Sequence, residues 1–244
     1  MRPQKTRKKR PPKRPLPPWI PVAVVGTIAV IAVVLVIVVS NATSSGNSNT
    51  PAKTTPGPTA SAPQQGASFG RPDAPVTMVE YYSFQCSYCA DFAASTEPQI
   101  EKDYVDTGKL RIEFHALGAG DVLLASEAVA CAGDQGHYVE YYKYLFANRL
   151  RGFSEGTLKE YARDLGLDTA AFGQCLDSHK HRQTIVDDTS AASLQKLGTP
   201  AFYLGKTSAM ENQSLPYANA TNIPGAQPYQ VFKSAIEQLL GSAQ

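Results

Sequence analysis

The sequence predicts an α/β domain with an all-helical insertion, carried behind one N-terminal membrane-spanning helix and a disordered linker. Three observations lead there. An uncharged run at residues 22–39 follows a strongly basic tail. A stretch built almost wholly of Ser, Thr, Asn, Gly, Pro, Ala and Gln comes next. From residue 69 onward, strand-like and helix-like segments alternate around the tetrapeptide CSYC, residues 86–89.

The N-terminal part is read from charge. Residues 1–14 carry eight Lys/Arg, and the first acidic residue of the chain is Asp73. The run VAVVGTIAVIAVVLVIVV (22–39) spans roughly 27 Å as a helix, close to a bilayer core of about 30 Å. Trp19 suits the membrane interface. Basic residues crowd one side of the run, and Lys53 is the one cation in the thirty residues after it. That asymmetry places the N-terminus in the cytoplasm and the rest outside. A cleaved signal peptide, cut near Ser40-Asn41-Ala42, is the alternative, although signal cores usually run to about 7–15 residues. Residues 40–68 lack the apolar side chains needed to offset the entropy of ordering, so they read as a disordered linker. Its reach is on the order of 30 Å. The expected layout is therefore a cytoplasmic tail (1–18), a signal-anchor helix (19–39), a linker (40–68) and a folded domain (69–244). From Phe69 on there are 14 basic and 21 acidic residues, a net of −7, which argues against nucleic acid as a partner.

Within the domain, Val76–Tyr82 (VTMVEYY) is rich in β-branched and aromatic residues and reads as a buried strand. After CSYC, Phe92, Ile100 and Tyr104 recur at helical spacing, interrupted by Pro98 and stopped at Gly108. Lys109–Leu117 is a second strand. A helical block of four or five helices follows, about residues 121–197, with breaks near Gly133–Gly136, Gly152, Gly166 and Ser178. Thr199-Pro200 opens a third strand, and Gln227–Leu240 forms a C-terminal amphipathic helix.

All four cysteines, Cys86, Cys89, Cys131 and Cys175, fall in the part expected to face an oxidising compartment. CSYC alone is compatible with a redox pair, half a zinc site or an ordinary disulfide. Its place between a strand and a helix favours the redox pair. There Cys86 sits at a helix N-terminus, where free N–H groups and the dipole favour a thiolate, and Cys89 lies one turn further in. Cys86 is then the attacking thiol and Cys89 the resolving one. Cys131 shares a helix face with Leu124 and Ala128, and Cys175 lies with Phe172 and Leu176; the two are expected to form a structural disulfide, two separate buried thiols being the alternative.

From about Asp73 to Leu240 the chain resembles the DsbA-like branch of the thioredoxin superfamily in its membrane-anchored form. The resemblance rests on EYYSFQCSYC, GTPAFYLG and GAQPYQVFKSAIEQL, in that order. It implies a thioredoxin fold with helices inserted before the Thr-Pro strand, and a cis Pro200 beside the CxxC pair. It further implies substrate binding at Thr199, Pro200, Ser87 and Tyr88, and a proton-transfer role for Glu80. The implied activity is protein thiol–disulfide exchange without a bound cofactor, introducing disulfides into secreted or envelope proteins. Its partners are reduced substrate proteins and a quinone-linked oxidase of the DsbB or VKOR-like kind. A reductase or isomerase of the same fold, and a non-catalytic envelope binding module, are the competing readings. Two features depart from the pattern: the dipeptide between the cysteines is Ser87-Tyr88 rather than Pro-His, and residues 206–222 make a long connection. No metal is expected: His179 and His181 read as solvated, and His115 and His137 have no partner at ligand spacing. The tyrosines Tyr138, Tyr141, Tyr142 and Tyr144 are expected to serve packing.

Overall fold

The computed structural model describes residues 61–211 and 213–241. The basic tail, the expected membrane helix and residues 40–60 of the expected linker lie outside the described residues. Among the described residues no helix is long and apolar enough to cross a membrane.

The last part of the expected linker turns out to be sheet. Strands β1 (Gln64–Gln65) and β2 (Ser68–Phe69) form a small hairpin, turning at Gly66 with φ +57°. Composition misses this because the ordering force is hydrogen bonding. Gln64 accepts from the Val139 N–H through Oε1 at 2.8 Å and donates through Nε2 to Glu140 at 2.8 Å. Phe69, at the linker's edge, is the residue that enters the core.

Strand β3 (Val76–Tyr82) is buried along its whole length, as a central strand covered on both faces must be. Helix α1 (Ser87–Ser95) and helix α2 (Glu97–Ile100) follow, then a π-helical turn at Glu101–Val105. The break between α1 and α2 falls at Thr96, two residues before Pro98, which has no N–H to continue the ladder. Strand β4 (Leu110–Ala116) alternates buried and half-buried residues and pairs in parallel with β3.

The inserted block holds α3 (Asp121–Gly133), α4 (Tyr138–Asn148), α5 (Glu155–Asp164), α6 (Thr169–Asp177) and α7 (Arg182–Leu194). Strand β5 (Ala201–Lys206) then pairs antiparallel with β3. The long connection contains a short helix α8 (Thr207–Met210) and returns as β6 (Thr221–Pro224), antiparallel to β5. Helix α9 (Tyr229–Gly241) closes the described chain. The sheet order is β1-β2-β4-β3-β5-β6.

The insertion is fastened to the sheet by aromatic side chains. Tyr82, Phe84, Phe114, Tyr138, Tyr142 and Phe146 pack as one group, with centroid separations of 4.8–6.3 Å. The four α4 tyrosines are buried, so they are core. Each hydroxyl finds a partner: Tyr82 for Tyr138 at 2.8 Å, the Leu158 carbonyl for Tyr141 at 2.8 Å, Glu80 for Tyr142 at 3.2 Å and Asp164 for Tyr144 at 3.3 Å. A buried hydroxyl left unpaired costs about 1–3 kcal/mol, so these contacts fix α4 in one register.

Expected as solvated, His179 is exposed and His181 half-buried, and each also lies within hydrogen-bond distance of a carboxylate. His179 Nδ1 lies 2.7 Å from buried Glu127, which Arg182 also contacts at 2.7 Å, and His181 Nε2 lies 2.9 Å from Asp134. His115 likewise meets Asp188 at 2.9 Å and stacks on Tyr81. Spacing along the chain cannot reveal such pairs, because the partners lie 47 to 73 residues away.

Cys131 of α3 and Cys175 of α6 are joined in a disulfide, with Cα atoms 5.8 Å apart and a sequence separation of 44. Closing a loop of about 45 residues stabilises a fold by about 4 kcal/mol in the chain-entropy model, an upper figure. The double variant Cys131→Ala/Cys175→Ala should therefore unfold at a melting temperature lower by roughly 5–15 °C, while thiol exchange at Cys86 stays near the parent rate. An unchanged melting temperature in calorimetry, or a collapse of exchange, would contradict a purely structural bond.

Candidate redox site

Strand β3 delivers the chain to the site. Ser83 turns it, with its carbonyl accepting from the Cys86 N–H at 3.0 Å. Phe84 anchors the turn by packing against Phe146 and Phe153. Cys86 is the N-cap of α1: its backbone is extended (φ −78°, ψ 119°), and its Sγ accepts from the Cys89 N–H at 3.2 Å. A cysteine occupies the place where Ser, Thr, Asp or Asn usually satisfies a free N–H. The helix therefore aims backbone donors and its positive end at that sulfur.

The pair is a dithiol, and its two sulfurs have unlike surroundings. Cys86 is half-buried and donates to the Thr199 carbonyl at 3.2 Å, on the segment leading into β5. Thr199-Pro200 is a cis peptide, with Pro200 buried and Thr199 half-buried. Cys89 is fully buried, and burial pushes its thiol pKa far above the ordinary value, with the neighbouring Cys86 adding to the rise. Ser87 and Tyr88 face outward, and Tyr88 is 67% exposed, unusual for a large aromatic side chain. Six of the seven residues expected at the site, all but Glu80, thus gather at one end of the sheet.

Glu80 lies beneath them, fully buried on β3. Burial pushes its carboxyl up to about 8; the Tyr142 hydroxyl, donating to Oε1 at 3.2 Å, pulls the other way, and the nearby Glu101 charge adds to the rise. Two further buried carboxyls, Glu97 and Glu101, were not singled out from the sequence. A signal was present: each precedes a core residue by three positions, Ile100 and Tyr104 respectively, so helical spacing puts both on the inner face.

As for metals, the ligand atoms of Cys131, Cys175 and His181 lie within 4.8 Å of one another. The two sulfurs are bonded to each other, however, so neither offers the thiolate a metal needs.

A cysteine pair at a helix N-terminus, facing a cis-proline segment across a mixed sheet, defines a thioredoxin-type dithiol domain. The chain belongs to the thioredoxin family, whose model, described as Thioredoxin, matches residues 63–220. Within the family it is similar to DsbA-type structures and to protein-disulfide oxidoreductases. The solved structure of alpha-DsbA1 from Wolbachia pipientis superposes with a TM-score of 0.62 at 27% identity, covering 72% of this chain and 92% of that one. A putative protein-disulfide oxidoreductase of Rickettsia typhi is 25% identical over 154 residues, 60% of this chain and 57% of the relative. Part of a Na(+)/H(+) antiporter, NhaA 1 of Salinispora arenicola, is 33% identical over 140 residues, 55% of this chain. The chain thus spans just over half of the Rickettsia relative and 21% of the antiporter.

The buried Glu80 sets a pH dependence of stability. Its folded pKa, about 8, lies above the ordinary 4.5. Its contribution to stability is thus complete below the ordinary value and is lost as pH rises through the folded one. Glu80→Gln removes that loss. In urea titrations from pH 5 to 9, the variant should gain stability relative to the parent as pH rises, by on the order of 1–3 kcal/mol at the alkaline end. Parallel stability curves would show that Glu80 is not held neutral by burial.

Proposed function

We propose that the protein is a thiol–disulfide oxidoreductase, tethered to the outer side of the cytoplasmic membrane and working in the oxidising direction. The observation that carries this reading is the unequal placement of two sulfurs three residues apart. Cys86 is reachable, capped by a backbone N–H and set against the Thr199 carbonyl, while Cys89 is sealed beneath it.

In the oxidised enzyme a substrate thiolate attacks Cys86 Sγ. The bond between Cys86 and Cys89 breaks, and its electron pair goes to Cys89. A second substrate thiolate then attacks the substrate sulfur of the mixed disulfide. The substrate leaves with a disulfide, and the enzyme keeps two reduced cysteines. The backbone of Thr199 and Pro200 offers an edge for an extended substrate segment, and the exposed Ser87 and Tyr88 flank the reacting sulfur. Substrates are reduced secreted or envelope proteins. A quinone-linked membrane protein of the DsbB or VKOR-like kind takes up the two electrons and restores the disulfide. The charge asymmetry around residues 22–39 supports the tether and the outward orientation.

Trapping tests the division of labour. Cys89→Ser should accumulate mixed disulfides through Cys86, visible as high-mass adducts on non-reducing gels that vanish with reductant. Cys86→Ser should yield none and should lose exchange by at least about a hundredfold. Adducts that form through Cys89 in Cys86→Ser would reverse the roles.

A further inference from the structure

The disulfide between Cys131 and Cys175 sits beside two further metal-ligating side chains. The ligand atoms of Cys131, Cys175 and His181 all lie within 4.8 Å of one another. Asp134 joins the set: its Oδ2 lies 2.9 Å from His181 Nε2 and 3.5 Å from Cys175 Sγ. Two sulfurs, one imidazole nitrogen and one carboxylate oxygen therefore gather at one place. In sequence they form Cys131-x2-Asp134 and Cys175-x5-His181, two short ligand pairs separated by a long gap, a layout common in zinc sites.

Helix ends explain the convergence. Cys131 lies in the last turn of α3, and Asp134 caps that helix three residues on, so the two are neighbours on one face. Cys175 lies in the last turn of α6, and His181 caps the start of α7. Two helix C-termini thus meet at the cluster, and their carbonyl ends favour a cation. A surface cleft of about 380 Å³, lined by both cysteines, Asp134, Gln135, Gln174 and Lys180, gives ions access. The Lys180 ammonium donates to Asp134 Oδ2 at 2.8 Å. Its charge offsets the one excess negative charge that two thiolates and a carboxylate leave around a divalent ion.

We propose that Cys131, Cys175, His181 and Asp134 form a zinc site in the dithiol state of this chain, apart from the exchange pair, and that the disulfide closes it. The newly made chain carries both cysteines as thiols, so the site exists before the bond does. On binding, each thiol gives its proton to solvent, and the ion gains two thiolates, neutral His181 and the Asp134 carboxylate. Zinc at about 2.3 Å from each thiolate sets the sulfurs roughly 3.8 Å apart, against 2.01 Å in the disulfide. With the Cα atoms 5.8 Å apart, side-chain rotation covers that change. Oxidation reverses the step: the thiolates lose two electrons to a disulfide oxidant, the sulfur–sulfur bond forms and the ion is released. A dithiol reductant returns two electrons and two protons and reopens the site. Two sulfurs, a nitrogen and an oxygen select zinc over calcium or magnesium, which take oxygen ligands. The ion thus ties α3, α6 and α7 together while the covalent bond is absent.

The test uses the full chain in detergent, in a Cys86→Ser/Cys89→Ser background, so that Cys131 and Cys175 are the remaining thiols. After reduction with a phosphine and transfer to oxygen-free buffer, Co2+ is titrated as a spectroscopic probe and then displaced by Zn2+. The reduced chain should bind a single Co2+, with thiolate-to-cobalt charge transfer in the near ultraviolet and the intense visible bands of a tetrahedral ion. The oxidised chain should show neither. His181→Gln and Asp134→Asn should each weaken Co2+ binding at least about tenfold, the loss typical of even an outer partner of a metal ligand. Far-ultraviolet circular dichroism, recorded alongside, should show the helices retained on reduction or restored by Zn2+. A folded reduced chain without the charge-transfer band overturns the site. Unchanged affinity in either variant, or equal Co2+ binding by the oxidised chain, overturns it as well. So does a reduced chain that unfolds and is not restored by Zn2+.

Discussion

The hydrogen bond from the Cys89 N–H to the Cys86 sulfur, 3.2 Å long, ties the local fold to the chemistry. It exists because α1 begins directly after Cys86, and α1 begins there because β3 ends at Tyr82 and the Ser83 turn is pinned by buried Phe84. The same geometry forces the second cysteine one turn inward, under the helix and against the core. A reachable sulfur and a sealed one are therefore consequences of a single helix start. Moving that start by one residue would turn both side chains by about 100° and remove the asymmetry.

Beneath the sealed sulfur lie buried carboxyls, Glu80, Glu97 and Glu101, whose pKa values burial pushes upward. Those carboxyls in turn weaken the fold as pH rises, so the domain needs strength elsewhere. It comes from aromatic packing between the sheet and α4, and from the disulfide between α3 and α6. That disulfide joins two helices of the inserted block, apart from the Cys86–Cys89 pair.

Much of this architecture is legible in the sequence, and the reasons are physical. β3 and β4 announce themselves because central strands are dense in β-branched and aromatic residues, and the helical insertion because its breaks carry Gly or Ser. The site's outline follows from where CSYC and Thr199-Pro200 sit relative to those elements. What stays hidden depends on long-range pairing. Gln64 orders a polar segment through contacts to Val139 and Glu140 some 75 residues away. The carboxylate contacts of His179 and His181 are equally nonlocal. Glu97 and Glu101 were readable from helical spacing, yet their charge favours a reading as surface residues; only Tyr142 and Lys143 of α4, which meet them, show otherwise.

The proposed oxidative function depends on Cys86 and Cys89 forming an oxidising exchange pair. The most direct measurement is the reduction potential of that pair in glutathione buffers of graded ratio, read residue by residue by mass spectrometry so that Cys131 and Cys175 do not contribute. A DsbA-like oxidase requires a potential well above that of thioredoxin, which is about −270 mV; a value above about −200 mV is the predicted result. A bond that resists reduction below about −300 mV, as structural disulfides do, would contradict an oxidising role for the pair.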